Sequence, residues 1–589
     1  MSFSDLRSAR QSKQYRSCVK AVASIAQAAP PLRSANDKSE RGTPAGTSDG
    51  CEVVDLKGLH QSLPSYLKIR KTDRAGRGVY AKNASKTGSV LFFRKPHVSV
   101  LSTSCIDTHC SSCCEPAPDS GLRRCTRCRS VWYCGIKCQN SDWSLHKNEC
   151  IALQRWATSA PSPELAIPSD AIRCLGRILW SAQKEGLDSL WTREIYTMQS
   201  HRSSLPPSAF ESHTHLAHSI VRYVGVSSPT ELAAFGLSSA GDLVDLISRF
   251  TTNTFTLTSP SLTPLGVSVC PTIALANHSC DPNAVIVFPR ASSDPQAQEP
   301  LMHLVAIKDI APDEEVLTAY VDTTLPQAKR QRELEETYNF SCGCALCSKK
   351  LTIDPRASMW CPEKCGGTCP VPTEENNFSR CTQCRAVVSS TNAVLDALRL
   401  GQEALDKASF LQYKDPRRAE RLTANMIPIL SSAGLTPSCH PLLAIYRLRL
   451  ELLIASLSSS ITQEVLDETI RTAAKYSAGL TSVLSPGHPV RGVALAELGK
   501  LLAVDEPSSP ATGGETKFPP SGAARLRLAY ETLVRARDEL VVGFGSQTGG
   551  GLVGQEVRET LIRLEKELGV WTQGIRNVIV DTPVEKTSQ

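Results

Sequence analysis

Cysteine constrains this chain more than any other residue. Of its 589 residues 23 are cysteine, and most fall in two stretches, Cys105–Cys150 and Cys342–Cys384. The first twenty residues carry no apolar run of the secretory kind. In a reducing compartment clustered cysteines read as metal ligands rather than disulfides. Between 110 and 150 the candidates pair off as Cys110-x2-Cys113, Cys125-x2-Cys128, Cys134-x3-Cys138 and His146-x3-Cys150. Eight ligands in four pairs suit two tetrahedral zinc ions, and a module this small takes folding energy from the metal. Cys114 could replace Cys113 by a one-residue slip, and Cys105 is spare. Spacing alone does not say which pairs share an ion.

The second stretch holds two further sets. Cys342-x-Cys344-x2-Cys347 offers three thiolates in six residues. A closed structural site needs a fourth, and Cys280 is a distant candidate. Cys361-x3-Cys365 and Cys381-x2-Cys384 suggest one more, ribbon-like zinc site, with Cys369 as an alternative ligand and free thiols as the plainer reading.

The rest of the chain is ordinary for a water-exposed protein, 41% hydrophobic and 21% charged. Its length calls for several domains. No run of about 18 apolar residues is present, so no membrane span is expected. The best candidate, 442–457, is broken by Arg447, Arg449 and Glu451. A net charge of +7 spread over this length permits acidic partners without indicating nucleic acid. Arg123, Arg124, Arg127 and Arg129 make the first cysteine stretch locally basic, which suits a solvated face or a weak nucleic-acid contact.

Residues 1–62 read as a disordered tail; Arg7, Arg10, Lys13, Arg16 and Lys20 give it an alternative as a mitochondrial presequence. Strands are expected at 66–70, 78–81, 90–94 and 98–101, within a first part spanning 63–104. The cysteine-dense segment 105–150 interrupts them. Residues 151–250 look helical, with Ile172, Leu175, Ile178 and Leu179 on one face behind a Ser169-Asp170 cap. Strand signals return at 254–257, 285–288, 303–307 and 316–320, within 251–325. Segments 326–350 and 351–389 carry the later cysteines. Residues 390–576 are helical, with faces such as Leu442, Ile445, Leu448, Leu452 and Val557, Leu561, Leu564, Leu568. They form either a plain bundle or a tetratricopeptide-like solenoid. Loops 505–523 and 543–554 interrupt them, and 577–589 is a frayed tail.

One more stretch looks like a site. Residues 271–283 read P-T-I-A-L-A-N-H-S-C-D-P-N: an apolar run ends in Asn277, His278, Ser279 and Cys280 before a turn and a strand.

Two resemblances follow from these residues. Trp132-Tyr133-Cys134, Cys138-Gln139, Trp143 and His146-Lys147, with the cysteine spacing, resemble a MYND zinc finger. That resemblance implies interleaved ligation: Cys110, Cys113, Cys134 and Cys138 on one zinc, Cys125, Cys128, His146 and Cys150 on the other. It also implies a proline-rich peptide as a partner of the finger. Gly76-Arg77-Gly78, Asn277-His278-Ser279-Cys280, the run Glu314–Tyr320, Tyr338, Phe340 and the Cys342/Cys344/Cys347 cluster together resemble a SET domain with its post-SET segment. A SET domain split by a MYND finger and followed by helices resembles the SMYD protein-lysine methyltransferases. The likeness is good from about 64 to 350 and looser beyond 390, where His488-Pro489-Val490 and Leu498-Gly499-Lys500-Leu501 still match.

The implied fold is an α+β multidomain chain: a mostly-β SET core, a helical insert, a two-zinc finger, a zinc-bearing post-SET and an α-helical C-terminal domain. The implied activity is methyl transfer from S-adenosylmethionine to a lysine of a protein substrate, in the cytoplasm or the nucleus. Gly76, Arg77, Gly78, Asn253, Asn277, His278, Tyr320 and Phe340 fall at cofactor positions. Tyr320 and Tyr338 fall at catalytic ones, and Cys280 joins Cys342, Cys344 and Cys347 on one zinc. Three departures stand out. Asp313 replaces a usual glycine, Ala75 replaces a common basic residue, and one cofactor contact ahead of Asn253 has no match. A zinc-binding adaptor or transcriptional regulator with weak or no catalysis is the rival reading.

Overall fold

The structure is a computed structural model that describes residues 62–72, 75–290, 299–348, 353–374, 378–457, 461–507 and 518–569. The tails read from the sequence, with the presequence alternative, lie outside these residues except for Ser62. So does most of the 505–523 loop.

The N-terminal half is built from short antiparallel ladders. Strand β1 (Leu67–Thr72) pairs with β2 (Gly76–Ala81), burying Leu67, Ile69, Val79 and Ala81 on one face. β3 (Val90–Arg94) and β4 (Val98–Leu101) follow, and β5 (Arg123–Arg124) and β6 (Trp132–Tyr133) form a small hairpin within the cysteine-rich segment. β7 (Thr254–Thr258) and β8 (Pro264–Val269) complete a sheet in the order β4-β8-β7. After β9 (Asn277–His278), β10 (Ala284–Val287) and β11 (Met302–Ala306) run beside β3. β12 (Leu317–Thr318) lies parallel to β9, and β13 (Ser358–Trp360) pairs with β14 (Thr368–Pro370).

The sequence gives little sign of β8, because Pro264 and Gly266 dilute its strand signal. Gly266 is needed there: a Cβ would sit 2.0 Å from the Val100 carbonyl oxygen on the neighbouring strand. The strand expected over 316–320 is shorter. It leaves the ladder after Thr318, because the Tyr320 N–H turns to the His278 ring.

Helix α1 (Ile136–Thr158) carries the last ligands of the finger onward into the helical insert. There α2 (Asp170–Glu185), α3 (Leu190–Thr197), α4 (Pro207–Val224) and α5 (Ala240–Asn253) pack against β4 and β8. The Ser169 hydroxyl accepts the Ile172 N–H, and Ser239 with Asp242 forms a capping box on α5. Asn253 is the last residue of α5 rather than part of a strand. α6 (Gln327–Tyr338) leads into the post-SET cysteines.

Seven helices then stack in chain order: α7 (Thr391–Leu411), α8 (Pro416–Ser432), α9 (Leu442–Leu457), α10 (Gln463–Val483), α11 (Pro489–Leu502), α12 (Gly522–Gly543) and α13 (Gly551–Glu567). They share an apolar core with the sheet, in which Val285, Val287, Val305 and Ile307 pack with Leu450, Leu457, Leu533 and Leu561. The glycine-rich 543–554 loop also docks on the sheet: Ser546 N–H donates to Gly88 and Leu552 N–H to Pro289.

The finger is bolted to the insert by buried charge. Arg177 of α2 donates to Asp142 (2.9 and 3.1 Å) and to Glu149 (3.1 and 2.5 Å) of α1, and the Tyr133 hydroxyl donates to Asp142 at 2.8 Å. All four side chains are buried. Burial alone would raise the Glu149 carboxyl, but Arg177 and His146 hold it well below the usual carboxylate range. Removing one member of such a set strands the others without water. Arg177→Met should therefore cost about 3–5 kcal/mol in urea unfolding followed by tryptophan fluorescence. A loss below about 1 kcal/mol, the range of exposed pairs, would show that the joint is solvated.

Candidate active site and metal centres

Four ligand sets converge. Cys110, Cys113, Cys134 and Cys138 form one; Cys125, Cys128, His146 and Cys150 a second; Cys280, Cys342, Cys344 and Cys347 a third; Cys361, Cys365, Cys381 and Cys384 a fourth. Within each set the ligand atoms lie within 4.8 Å of one another. A zinc–sulfur bond of about 2.3 Å gives a tetrahedron edge of about 3.8 Å. The sulfurs of Cys113 and Cys134 are 3.8 Å apart, Cys125 and Cys150 4.0 Å, Cys280 and Cys347 3.5 Å, and Cys365 and Cys381 3.6 Å. His146 Nε2 lies 3.5 Å from Cys125 Sγ and 3.7 Å from Cys128 Sγ. These donor sets fit zinc.

The slip between Cys113 and Cys114 is resolved by the backbone. Cys114 has φ of 59°, which turns it back into the core, where burial pushes its thiol up to about 12. Cys369 is likewise buried in an apolar cluster and lies outside the fourth set.

His146 is held from behind. Its Nδ1 faces Glu149 Oε2 at 3.2 Å, which fixes Nε2 as the ligating nitrogen. The third set has a guanidinium beside it: Arg330 of α6, buried, lies 3.8 Å from Cys347 Sγ. Gln331 clamps the backbone of Cys342 in that set, accepting its N–H at 2.8 Å and donating to its carbonyl at 2.7 Å.

The polar stretch 277–280 sits between this metal set and the β core. Residues 314–318 thread between β2 and β9, where the Val316 N–H donates to Val79 and Leu317–Thr318 pairs with Asn277–His278. The amide nitrogen of Asn277 donates to Glu315 Oε1 at 2.7 Å and to the Arg77 carbonyl at 3.1 Å. Gly78 is what lets them meet: a Cβ there would sit 2.2 Å from Glu315 Oε1 and 2.9 Å from Asn277 Nδ2. Asn283 fastens the far side, accepting the Leu317 N–H at 2.8 Å and donating to the Glu315 carbonyl at 2.9 Å.

Both ring nitrogens of His278 are engaged. Nδ1 accepts the Tyr320 N–H at 3.0 Å, so the ring proton sits on Nε2, 3.3 Å from Cys280 Sγ. Burial pushes this imidazole down to about 4, which keeps it neutral. What His278 presents beyond these bonds is a ring face. It packs 5.3 Å from Tyr320 and 6.0 Å from Phe340, between centroids.

Tyr320 and Tyr338 rings lie 4.9 Å apart, and Phe340 meets Tyr320 edge-on at 6.4 Å. The Tyr320 hydroxyl donates to the Ala276 carbonyl at 2.9 Å. Burial raises this phenol well above its ordinary pKa. The three aromatic side chains share one apolar cluster with Cys280, Cys342, Cys344 and Cys347. Tyr320, Tyr338 and Asn253 also line a cavity of about 570 Å3, to which His440 and His488 of the helical domain contribute.

Arg77 and Asn253 meet on one short segment. Arg77 donates to the Thr197 carbonyl at the end of α3, and Asn253 Nδ2 donates to Gln199 at 3.0 Å. Arg249, which sequence reasoning passed over, donates to Tyr196 at 2.6 Å and also to Met198. Helix C-terminal carbonyls attract such cations. Arg77 Nη1 is buried with no hydrogen-bond partner among the described residues. Gly76, with φ of 68°, makes the turn that carries Arg77 inward.

Of the departures, Asp313 is explained. Its φ of 68° is the left-handed conformation a glycine would take without strain, and its carboxylate pairs with Lys68 and Arg70. Glu315 lay within the Glu314–Tyr320 run without a role of its own, and Arg330 and Arg249 had no sequence signal that would have marked them.

A β core split by a cysteine finger, closed by a thiolate cluster and capped by helices is the architecture that the SMYD resemblance implies. The MYND finger family model matches residues 110–150. The chain is similar to the SMYD-type protein-lysine methyltransferases. It is 26% identical to the histone-lysine N-methyltransferase ASHR1 of Arabidopsis thaliana, across 54% of this chain and 64% of that protein. It is 30% identical to the N-lysine methyltransferase SMYD2 of Gallus gallus, across 47% of this chain and 58% of that protein. Against the human histone-lysine N-methyltransferase SMYD3 it is 26% identical across 74% of this chain and 88% of that protein. The chain thus spans a little under two thirds of the length of ASHR1 and SMYD2. Among the described residues no helix is long and apolar enough to cross a membrane.

If Glu149 sets the basicity of His146, Glu149→Gln should lower zinc affinity at that set by about 10–100-fold in a chelator competition. Unchanged competition would show that the contact is only packing.

Proposed function

We propose that the protein is an S-adenosylmethionine-dependent protein-lysine N-methyltransferase. The observation that carries this reading is the Tyr320–Tyr338–Phe340 aromatic cluster, built against the Asn277–His278 segment and opening on the cavity beside Asn253. The names of its relatives support it.

The residues fit the cofactor. Arg77 offers a buried N–H, unpartnered among the described residues, that suits a carboxylate, and Asn253 bonds to the same 196–199 segment. Asn277 is aligned by Glu315, with Gly78 leaving the backbone bare beside it. His278 contributes its ring face, and its bonds hold the Tyr320 backbone. When bound, S-adenosylmethionine supplies an electrophilic methyl group on a sulfonium.

The chain's own task is to deliver a neutral amine in line. A lysine amine has a reference pKa of about 10.4, so its nucleophilic form is scarce at neutral pH. Desolvation among Tyr320, Tyr338 and Phe340 disfavours the charged form. The Tyr320 hydroxyl donates its hydrogen bond to the Ala276 carbonyl, so its oxygen lone pairs remain to accept from the incoming group. Its raised pKa keeps it a phenol throughout. Alignment and exclusion of water then do most of the work. The protein substrate would enter through the 570 Å3 cavity between the core and the helical domain. Any acidic, nucleic-acid or proline-rich partner falls to the finger, where Arg123, Arg127 and Arg129 are exposed. Thiolate zinc ligands suit a reducing compartment, the cytoplasm or the nucleus.

The test is purified protein with labelled S-adenosylmethionine and cell extract or candidate proteins. Label should appear on lysine and fall at least about tenfold, or 1.4 kcal/mol of barrier, in Tyr320→Phe. Gly78→Ala should abolish cofactor binding in calorimetry without changing the zinc content. Wild-type protein that binds no cofactor would sink the enzyme and leave the adaptor.

A further inference from the structure

The segment between the post-SET cysteines and the helical domain lies outside the matched finger, and no activity described above uses it. We propose that Cys361, Cys365, Cys381 and Cys384 bind a fourth zinc ion, and that the resulting ribbon sets the helical-domain wall of the cavity that Tyr320 lines.

The first support is that the turn around Cys381 repeats the zinc turns of the finger. In the finger, Arg129 has φ of 53° and returns its N–H to the Cys125 carbonyl at 3.1 Å, while the Cys125 N–H donates to Val131 at 3.0 Å. Cys114 does the same to Cys110 with φ of 59°. In the ribbon, Arg385 has φ of 66° and returns its N–H to Cys381 at 3.1 Å, while the Cys381 N–H donates to Ala386 at 2.9 Å. Opposite it, Lys364 has φ of 52° and donates to Cys361 at 3.0 Å. Left-handed backbone at non-glycine residues persists only where the surroundings over-determine it. Here it aims two thiols from each half at one point.

The second support is the bonding around the sulfurs. The Gly367 N–H points at Cys365 Sγ and the Gln383 N–H at Cys381 Sγ, both at 3.4 Å. Amide donors aimed at sulfur stabilise thiolate, the form that binds metal. Gly367 is required for closure, because a Cβ there would lie 2.8 Å from Cys381 Sγ. Lys364 and Arg385 flank what would be a net anionic tetrathiolate.

The ribbon is stitched to the cavity wall through β13. The Trp360 N–H donates to Gly434 at 2.7 Å, the Thr436 N–H to Ser358 at 3.2 Å and the His440 N–H to Arg356 at 2.9 Å. The buried Arg356 guanidinium then donates to Thr323 of the core and to Val483 of α10, each at 2.6 Å. The loop 434–440 fixed in this way feeds α9, and His440, Leu443, Ala444 and Arg447 face the cavity. A role of that wall in substrate binding rests on the methyltransferase reading; the metal and the stitching do not.

The full chain, exchanged into metal-free buffer, should retain four zinc ions by elemental analysis, against three in Cys365→Ser/Cys384→Ser. These are the two more exposed ligands, and serine nearly preserves their shape. Cys384→His should keep four. Amide hydrogen exchange over 434–447 should quicken at least about tenfold in the double variant and stay slow in Cys384→His. Three zinc ions in the wild type, or four in the double variant, would overturn the metal site. Loss of the zinc with unchanged exchange would overturn the control of the wall.

Discussion

Two residue pairs hold this molecule's functional centre: Asn277–His278 lying parallel to Leu317–Thr318. A two-residue ladder is weak by itself, and its stability comes from what is tied to each end. On one side Asn283, Glu315 and the bare backbone of Gly78 lock the threaded segment against β2. On the other, His278 bridges the Tyr320 backbone to the sulfur of Cys280. Because that sulfur belongs to a metal set contributed mainly by residues 342–347, the aromatic cluster and the thiolate cluster form one packed unit.

The surrounding domains act as buttresses. The finger does not stand apart, because the carboxylate that orients His146 is shared with Arg177 of the helical insert. Within the insert, the 196–199 carbonyls at the end of α3 gather Arg77 of β2 and Arg249 and Asn253 of α5. On the far side the helical domain shares its core with β10 and β11 and closes the cavity beside Tyr320. The Cys280 thiolate set and the helical domain therefore meet at Tyr320, with the finger tied in behind them through the insert.

What the sequence disclosed followed how local each feature was. Ligand pairs three or four residues apart were legible, because their geometry is set within a turn. Spacing did not say which pairs belong together, since Cys110 and Cys134 are brought together only by the β5–β6 hairpin and α1; the MYND resemblance supplied the interleaved partition, and the structure groups the side chains in that way. Cys113 and Cys114 were inseparable until the left-handed backbone at Cys114 turned one of them inward. Long-range partners were invisible: Glu315 for Asn277, the α3 carbonyls for Arg249, Arg330 beside Cys347. The chemistry of His278 changed most. Its sequence context suggested a polar group facing a cofactor, whereas both nitrogens are spent on Tyr320 and Cys280.

The dependence of the pocket on the metal is tested most directly by Cys280→Ser in the full chain, with zinc counted by elemental analysis and S-adenosylmethionine binding followed by calorimetry. The expected result is loss of one zinc per chain together with at least about a tenfold loss of cofactor affinity, or 1.4 kcal/mol. Loss of that zinc with cofactor affinity unchanged would contradict the coupling, and His278 would then be a neighbour of the metal site rather than its link to the pocket.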